Sequence, residues 1–236
     1  MSQWERSELV LGHEALARLR AARVAVFGVG GVGGYAVEAL ARAGVGSLAL
    51  FDPDTVSESN INRQILALHS TLGKYKVDVA AARVRDIDPS IKVSANRMFY
   101  LPQNADEVDL SQFDFVIDAI DTVAAKLELA RRAAALGVPL IASMGTGNKL
   151  DPSRFRITDI SKTAVCPLAR TMRTLCRKHG IKKLRVLWSD EEPTGATLPD
   201  ENGRHVPGSI SFVPAVAGLM IAGEVIRTLA KSEGEQ

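Results

Sequence analysis

Apolar residues along the chain follow two spacings that alternate between residues 24 and 143. Short continuous apolar runs, such as residues 24–27, are typical of strands buried on both faces. Between these runs, apolar residues recur three and four positions apart, which is the spacing of an amphipathic helix. The predicted strands are residues 24–27, 48–51, 93–96, 113–119 and 139–143, and the predicted helices are residues 31–43, 74–88 and 122–136. This order predicts an α/β protein with a Rossmann-like, doubly wound, mostly parallel sheet.

The pattern changes after Gly147, where the residues predict a strand, a helix, a second strand, a loop and a final helix. In that order, these elements are residues 154–159, 167–178, 184–188, 191–208 and 214–229. Pro214 is expected to be the first residue of the final helix. Because no linker separates the two parts, we predict one domain over residues 1–236. Within it, residues 1–150 form the core and residues 151–236 extend the same sheet.

The segment 206–223 carries no formal charge and is long enough to raise the question of a membrane span. It contains Pro207 and Pro214, however, and the charged residues Glu224 and Arg227 follow it directly. A buried helix is therefore the better interpretation, and we expect no stable membrane insertion.

The glycine-rich turn after the first predicted strand indicates a phosphate-binding site. Its glycines, Gly28, Gly30, Gly31 and Gly33, allow a tight turn and a close approach of the backbone to a phosphate group. The next helix would then present its N-terminal N–H groups to that phosphate. Asp52 ends the second strand, where a carboxylate can accept hydrogen bonds from ribose hydroxyls. These features predict a nucleotide-binding site but do not distinguish ATP from a nicotinamide dinucleotide. The alternative is a glycine turn that serves only the packing of the helix against the strand.

Two basic residues further along favour a triphosphate. Arg63 and Lys76 could neutralise a polyphosphate while its α-phosphorus is attacked, whereas a nicotinamide oxidoreductase has no general need for such a pair. The alternative interpretation is two solvated surface cations. Asp121 follows the fourth strand, where a carboxylate suits Mg²⁺ shared with phosphate oxygens. Asp118 could instead cap the following helix.

Charge and cysteine content bear on metal binding and on the expected cellular location. The net charge of +2 is unevenly spread, with −3 in residues 1–120 and +5 in residues 121–236. Two cysteines, Cys166 and Cys176, make no disulfide framework and cannot form a four-thiolate zinc site. The first residues are charged and lack an apolar signal region. We therefore expect no zinc and a reducing, cytoplasmic location.

Together these residues resemble the ubiquitin-activating-enzyme-like adenylating superfamily, which includes the activators of molybdopterin and thiamine biosynthesis. The shared motifs are residues 28–33, 52–54, 59–64, 73–76 and 118–121. The resemblance implies that ATP is the cofactor, with its ribose at Asp52, its phosphates at Arg63 and Lys76, and Mg²⁺ at Asp121. Further nucleotide-binding residues in these motifs are Asp54, Asn60 and Gln64. The resemblance also implies a homodimer in which Arg6 reaches the partner's ATP, and it leaves a monovalent cation unspecified.

Within the superfamily, three further segments are similar to the tRNA threonylcarbamoyladenosine dehydratases. They are residues 67–70, 145–152 and 157–163. The sequence also lacks the two Cys-x-x-Cys pairs that activators of ubiquitin-like proteins usually carry. The resemblance implies that ATP activates the threonine carboxylate of a modified adenosine beside the anticodon. Attack from within the substrate would then close a ring and release AMP and pyrophosphate. The alternative is an adenylating activator of a ubiquitin-like or sulfur-carrier protein, with sulfur-transfer proteins as partners.

The second half of the chain also contains a basic segment with no acidic residue, between Cys166 and Trp188. Its candidate tRNA-binding residues are Arg170, Arg173, Arg177, Lys178, Lys182 and Lys183. The three arginines share a helical face and could follow a phosphate backbone, although a solvated basic face is the alternative. Cys166 could act as a nucleophile at a helix start, but a small packed side chain is favoured because an attack from within the substrate requires no enzyme cysteine.

Overall fold

The computed structural model describes residues 3–199, 203 and 205–231. This part of the chain forms seven α-helices and nine β-strands. The helices are α1 (Glu5–Leu11), α2 (His13–Ala21), α3 (Gly33–Arg42), α4 (Lys76–Ile87), α5 (Val123–Leu136), α6 (Pro167–Lys178) and α7 (Phe212–Ala230). The strands are β1 (Arg23–Phe27), β2 (Ser47–Phe51), β3 (Lys92–Asn96), β4 (Phe115–Asp118), β5 (Leu140–Ser143), β6 (Phe155–Asp159), β7 (Arg185–Ser189), β8 (Thr197–Pro199) and β9 (His205–Pro207).

Seven of these strands form one sheet in the order β3-β2-β1-β4-β5-β7-β6. All neighbouring pairs are parallel except β6 and β7, which pair antiparallel at one edge. The strand order reverses between β1 and β4, and in sheets of this type ligands bind at such a point, outside the carboxyl ends of the strands. The predicted doubly wound sheet with a C-terminal extension is therefore confirmed.

The central strands are covered by helices on both faces. Val24 and Val26 of β1 pack with α3, α4 and α7, whereas Ala25 and Phe27 face the opposite way and pack with α5. A third apolar cluster joins β5 and β7 to α5 and α6. Burial on both faces explains why these strands are continuous apolar runs rather than alternating ones.

Two predictions for the C-terminal part are wrong in detail. The last helix begins at Phe212, so Pro214 is its third residue rather than its first. Proline is still tolerated there, because N–H groups in the first helical turn have no partner within the helix. The predicted loop 191–208 contains the two-stranded hairpin β8–β9. Each of its strands has only three residues, too few to show a period of two.

Helix α7 packs into the core of the fold. Among the described residues it is the one helix that is long and apolar enough to cross a membrane. Its residues Val213, Ala217 and Ile221 are buried, and a Cβ on Gly218 would lie 2.2 Å from the carbonyl oxygen of Val32 at the start of α3. This close approach of the two backbones places α7 inside the fold, against α3.

The pattern of apolar residues does not predict α1 and α2. They have seven and nine residues, and α1 has no buried residue that would reveal its helical spacing. Helix α2 is held by its contact with the end of α7, where Arg18 Nη2 donates to the carbonyl oxygen of Ala230 at 2.6 Å. Tertiary packing, rather than intrinsic propensity, accounts for such short helices.

Candidate active site

A cavity of about 530 Å³ opens at the carboxyl ends of β1, β2 and β4. Ten of the residues predicted for the nucleotide site line it: Gly28, Gly30, Gly31, Asp52, Asp54, Asn60, Arg63, Gln64, Lys76 and Asp121. A second cavity, of about 560 Å³, lies at the opposite edge of the sheet and contains none of them. Since the predicted residues come from five separate segments, their convergence marks the first cavity as the candidate site.

Two of the predicted glycines are required by close backbone packing beneath the cavity. Gly28 has a φ of +85°, and a Cβ there would lie 2.7 Å from the carbonyl oxygen of Ala119. A Cβ on Gly33 would lie 1.8 Å from the carbonyl oxygen of Gly28. Gly33 does not line the cavity, so its part in the site is to let α3 pack against the end of β1. The N-terminus of α3 is thereby brought to the cavity, as an anion site requires.

Asp52 is held in a fixed orientation by the backbone around it. Its Oδ2 accepts a hydrogen bond from Val29 N at 2.7 Å, and its Oδ1 accepts one from Asp54 N at 2.9 Å. Burial raises the pKa of Asp52, while the charge of Lys76 and the two backbone donors act in the opposite direction. Each carboxylate oxygen keeps a second lone pair, so the group can still accept a hydrogen bond from a ligand hydroxyl.

The two predicted phosphate-binding cations differ in their partners. The buried Lys76 Nζ lies 2.7 Å from Asp54 Oδ2 and so forms an ion pair in the cavity wall. Arg63 Nη1 donates to the carbonyl oxygen of Ser59 at 2.8 Å and to Asn62 Oδ1 at 2.9 Å. In the part of the chain that the structure describes, Arg63 forms no ion pair. Arg63 is partly desolvated, and this burial lowers its pKa. Because it lacks an acidic partner, its charge remains available to an anion.

Asn60 and Gln64 are buried amide residues that line the cavity. Asn60 Oδ1 accepts a hydrogen bond from Ser57 N at 3.2 Å, which fixes the turn before Arg63. Gln64 Oε1 is buried and has no hydrogen-bond partner among the described residues. Leaving a buried acceptor unpaired costs about 1–3 kcal/mol.

The two aspartates after β4 have separate environments. Asp118 is fully buried beneath the cavity, where its Oδ1 lies 2.9 Å from Lys126 Nζ and accepts from Ile120 N at 3.1 Å. Burial raises the pKa of Asp118, and the ammonium group of Lys126 opposes that shift. Asp121 instead is exposed in the cavity wall, and among the described residues Thr122 Oγ1 is the one hydrogen-bond donor to its carboxylate, at 3.3 Å. Asp121 is therefore the better placed of the two to coordinate a metal ion, because Asp118 is buried and paired with Lys126.

The sequence prediction missed residues that reach the cavity from two other directions. Met98, Phe99 and Tyr100 follow β3, and Val206 and Ser209 lie at the end of the β8–β9 hairpin. The ring of Tyr100 packs edge-on against Phe27, with centroids 4.9 Å apart, and burial raises the pKa of its hydroxyl to about 12. The residues after β3 could have been predicted from the parallel sheet, because the carboxyl end of β3 lies at the same end of the sheet as those of β1 and β2. No signal in the sequence indicated the hairpin.

The basic residues of α6 and the loop after it lie outside the cavity. Arg170, Arg177, Lys178, Lys182 and Lys183 are exposed. Arg173 is half-buried, and its Nη1 donates to both the carbonyl oxygen and Oγ1 of Thr163, at 2.7 and 2.6 Å. Its role is therefore partly to hold α6 in place.

Two further candidates also lie outside the cavity. Arg6 is exposed on α1 and does not line the cavity. Cys166 is buried just before α6, among Met144, Ala169 and Met172. These surroundings agree with a packing role for the cysteine, because a nucleophile would need access to the substrate.

A glycine turn at the start of α3, an acidic residue after β2 and cations facing the cavity define a nucleotide-binding α/β protein of the adenylating class. The chain belongs to the ThiF family, whose model matches residues 5–236.

Three similar proteins illustrate the activities found among relatives of this chain. The tRNA threonylcarbamoyladenosine dehydratase of Bacillus subtilis (strain 168) is 44% identical over 245 residues, covering 98% of this chain and 96% of that protein. The structure of the E. coli tRNA N6-threonylcarbamoyladenosine dehydratase in complex with ATP is 31% identical, covers 99% of this chain and 96% of that one, and superposes with a TM-score of 0.88. The adenylyltransferase and sulfurtransferase uba4 of Aspergillus clavatus is 39% identical over 96% of this chain, but only 42% of that protein is matched.

The unpaired charge of Arg63 predicts a discrimination between nucleotides. Replacing Arg63 with Ala should weaken ATP binding by roughly ten- to a hundredfold, the value of a lost charge-assisted hydrogen bond. AMP has no β- or γ-phosphate, so its affinity should change much less. Isothermal titration calorimetry with both nucleotides measures this difference. Arg85→Ala, on an exposed arginine at the far end of α4, serves as the matched control. An equal loss for ATP and AMP would contradict the role given to Arg63.

Proposed function

We propose that this chain is an ATP-dependent tRNA threonylcarbamoyladenosine dehydratase. The observation that carries the proposal is the cavity that joins the glycine turn, Asp52, Arg63 and Lys76 at one edge of the sheet. It is supported by 44% identity over nearly the whole length of the Bacillus subtilis enzyme of that name. The ATP and AMP complexes of the similar E. coli dehydratase agree with an adenylating reaction in this cavity.

The reaction has two steps. In the first, a threonine carboxylate oxygen of the modified adenosine attacks the α-phosphorus of ATP, and the bond to the β-phosphate oxygen breaks. Arg63 and Lys76 stabilise the negative charge that accumulates on the departing pyrophosphate. In the second step, a nitrogen of the same substrate attacks the activated carbonyl carbon, AMP leaves and the nitrogen loses its proton. Because the nucleophile is already part of the substrate, proximity supplies much of the rate.

The residues around Asp121 fit a magnesium ion carried by ATP. Mg²⁺ in nucleotide sites is usually held by one or two carboxylates together with substrate phosphates, and Asp121 offers one exposed carboxylate in the cavity wall. The described residues contain no cluster of three acidic, histidine or cysteine side chains that could hold a metal ion alone. When bound, the ion would supply charge neutralisation to the phosphates, and Asp121 would position it.

Two elements of the proposal lie outside the cavity. Arg6 is exposed on α1, as a residue that reaches the ATP of a partner subunit must be, and a homodimer is part of the proposal for that reason. The exposed basic residues Arg170, Arg177, Lys178, Lys182 and Lys183, with the half-buried Arg173, form the proposed tRNA-binding face. A cytoplasmic location follows from a tRNA substrate and two free, buried cysteines.

Activation of a sulfur-carrier or ubiquitin-like protein is the second candidate, favoured by the similarity to uba4. The chain matches less than half of that protein. In the part of the chain that the structure describes, both cysteines are buried and separate, so they give no accessible thiol for sulfur transfer. The two candidates share the first chemical step and differ in the molecule that provides the carboxylate.

Pyrophosphate release tests the proposal directly. Wild-type protein with ATP and tRNA carrying threonylcarbamoyladenosine should release pyrophosphate and form the cyclised nucleoside, whereas unmodified tRNA should not stimulate it. Lys76→Ala and Asp121→Ala should each lower turnover by about a hundredfold or more, since the first removes a cation proposed to stabilise the departing pyrophosphate and the second removes the carboxylate that would position Mg²⁺. Circular dichroism would confirm that both variants are folded. Stimulation by a carrier protein instead of tRNA would favour the second candidate.

The basic face predicts a salt-dependent change in tRNA affinity. Arg170→Gln together with Arg177→Gln should reduce the slope of log K against log salt concentration by roughly 0.7 for each lost phosphate contact. Fluorescence anisotropy with labelled tRNA at several salt concentrations measures that slope. A double variant with the same change of charge, Arg85→Gln together with Lys92→Gln, tests the effect of net charge alone because both residues are exposed elsewhere. Equal slopes for the two double variants would refute the proposed face.

A further inference from the structure

The segment after β5 has an unusual backbone that the reaction itself does not explain. Asn148 has a φ of +57° and is one of two non-glycine residues with positive φ in the described part of the chain. Asparagine tolerates this left-handed conformation better than most residues, yet the conformation still costs energy. Such a cost persists where surrounding contacts hold the residue, and those contacts lead to the β8–β9 hairpin.

Asn148 joins both ends of the hairpin. Its backbone carbonyl accepts from Thr194 N at 3.0 Å, and its Nδ2 donates to the carbonyl oxygen of Ala196 at 2.8 Å, just before β8. Its own N–H donates to the carbonyl oxygen of Gly208 at 2.8 Å, just after β9. One residue therefore holds the two ends of the hairpin together on the carboxyl edge of the sheet.

The residues next to Asn148 also contact the chain on either side of the hairpin. A Cβ on Gly147 would lie 2.7 Å from Pro207 Cγ, so only glycine lets the hairpin pack so closely. The buried Lys149 Nζ donates to the carbonyl oxygen of Glu191 at 2.5 Å. The carboxylate of Glu191 in turn accepts from the backbone N–H groups of Leu150 and Asp151, at 2.7 and 3.0 Å. Residues 147–151 thus form a continuous socket for the chain on either side of the hairpin.

The hairpin leads from this socket into the nucleotide cavity. Val206 of β9 and Ser209 just after it both line the cavity. The carbonyl oxygen of Ser209 accepts from Asn62 Nδ2 at 3.0 Å, and Asn62 Oδ1 accepts from Arg63 Nη1 at 2.9 Å. A continuous path of contacts therefore runs from Asn148, through the end of the hairpin, to the cation expected to contact the phosphates.

We propose that Asn148 is a positioning residue that seats the β8–β9 hairpin as a wall of the cavity beside Arg63, and that this wall keeps water from the acyl adenylate. The inference rests on the proposed function. The adenylate has two fates. Attack by the substrate nitrogen breaks the bond to AMP and closes the ring, whereas attack by water breaks the same bond and returns the carboxylate. Closing an active site against water suppresses hydrolysis of such reactive intermediates.

The test is the amount of AMP released for each cyclised nucleoside formed. Asn148→Gly keeps the left-handed backbone without strain but removes the side-chain bond to Ala196, and Asn148→Asp replaces that donor with an acceptor. Both should raise the ratio from close to one to roughly three or more, because water then competes for the adenylate. The Michaelis constant for ATP should change less than the ratio. A role limited to stability would lower the yield of both products together and leave the ratio unchanged.

Asp109→Asn is the matched control, because it makes the reverse exchange of acid and amide at a surface turn before β4, at the opposite edge of the sheet. Its ratio should equal that of the wild type. If the Asn148 variants do not fold, Asn62→Ala tests the other end of the path and should raise the ratio in the same way. Folded variants with an unchanged ratio would overturn the inference. Failure of the wild type itself to form cyclised nucleoside would instead overturn the proposed function.

Discussion

The close packing of three backbone segments around Gly28 is the constraint on which the rest of the site depends. A side chain at Gly28 would collide with the carbonyl oxygen of Ala119, and a side chain at Gly33, in the first turn of α3, would collide with the carbonyl oxygen of Gly28. This contact brings the end of β4 and the start of α3 to the same point of the sheet. The free N–H groups of α3 and the acidic segment after β4 then face one cavity.

Among the described residues around that cavity, Arg63 is a cation without an acidic partner. Lys76 is neutralised by Asp54, and Lys126 by Asp118 beneath the site, whereas Arg63 is held only by neutral oxygen atoms. A polyphosphate bound in the cavity would therefore neutralise the positive charge of Arg63. This arrangement supports the proposed adenylation, in which Arg63 would stabilise the negative charge of the departing pyrophosphate.

The sequence predicts the sheet well, since burial on both faces gives β1, β2 and β4 continuous apolar runs and the glycine turn marks the switch point. The grouping of Asp52, Arg63 and Lys76 at one nucleotide site rests on the resemblance to the adenylating superfamily, because all three residues follow the single strand β2 and their spacing alone does not bring them together. The β8–β9 hairpin could not be predicted, since its strands are short and depend on the socket around Asn148 rather than on their own pattern. The start of α7 at Phe212 was missed because a proline is accepted anywhere in a first turn.

In the proposed reaction, the carboxylate is activated by attacking the α-phosphorus of ATP. The most direct test is a single turnover with tRNA in which the threonine carboxylate carries ¹⁸O, followed by mass spectrometry of the nucleotide products. Adenylation transfers one carboxylate oxygen to the phosphate of AMP, so the account predicts AMP that contains one ¹⁸O atom alongside unlabelled pyrophosphate. Formation of ADP with ¹⁸O in inorganic phosphate, or of AMP without label, would contradict it.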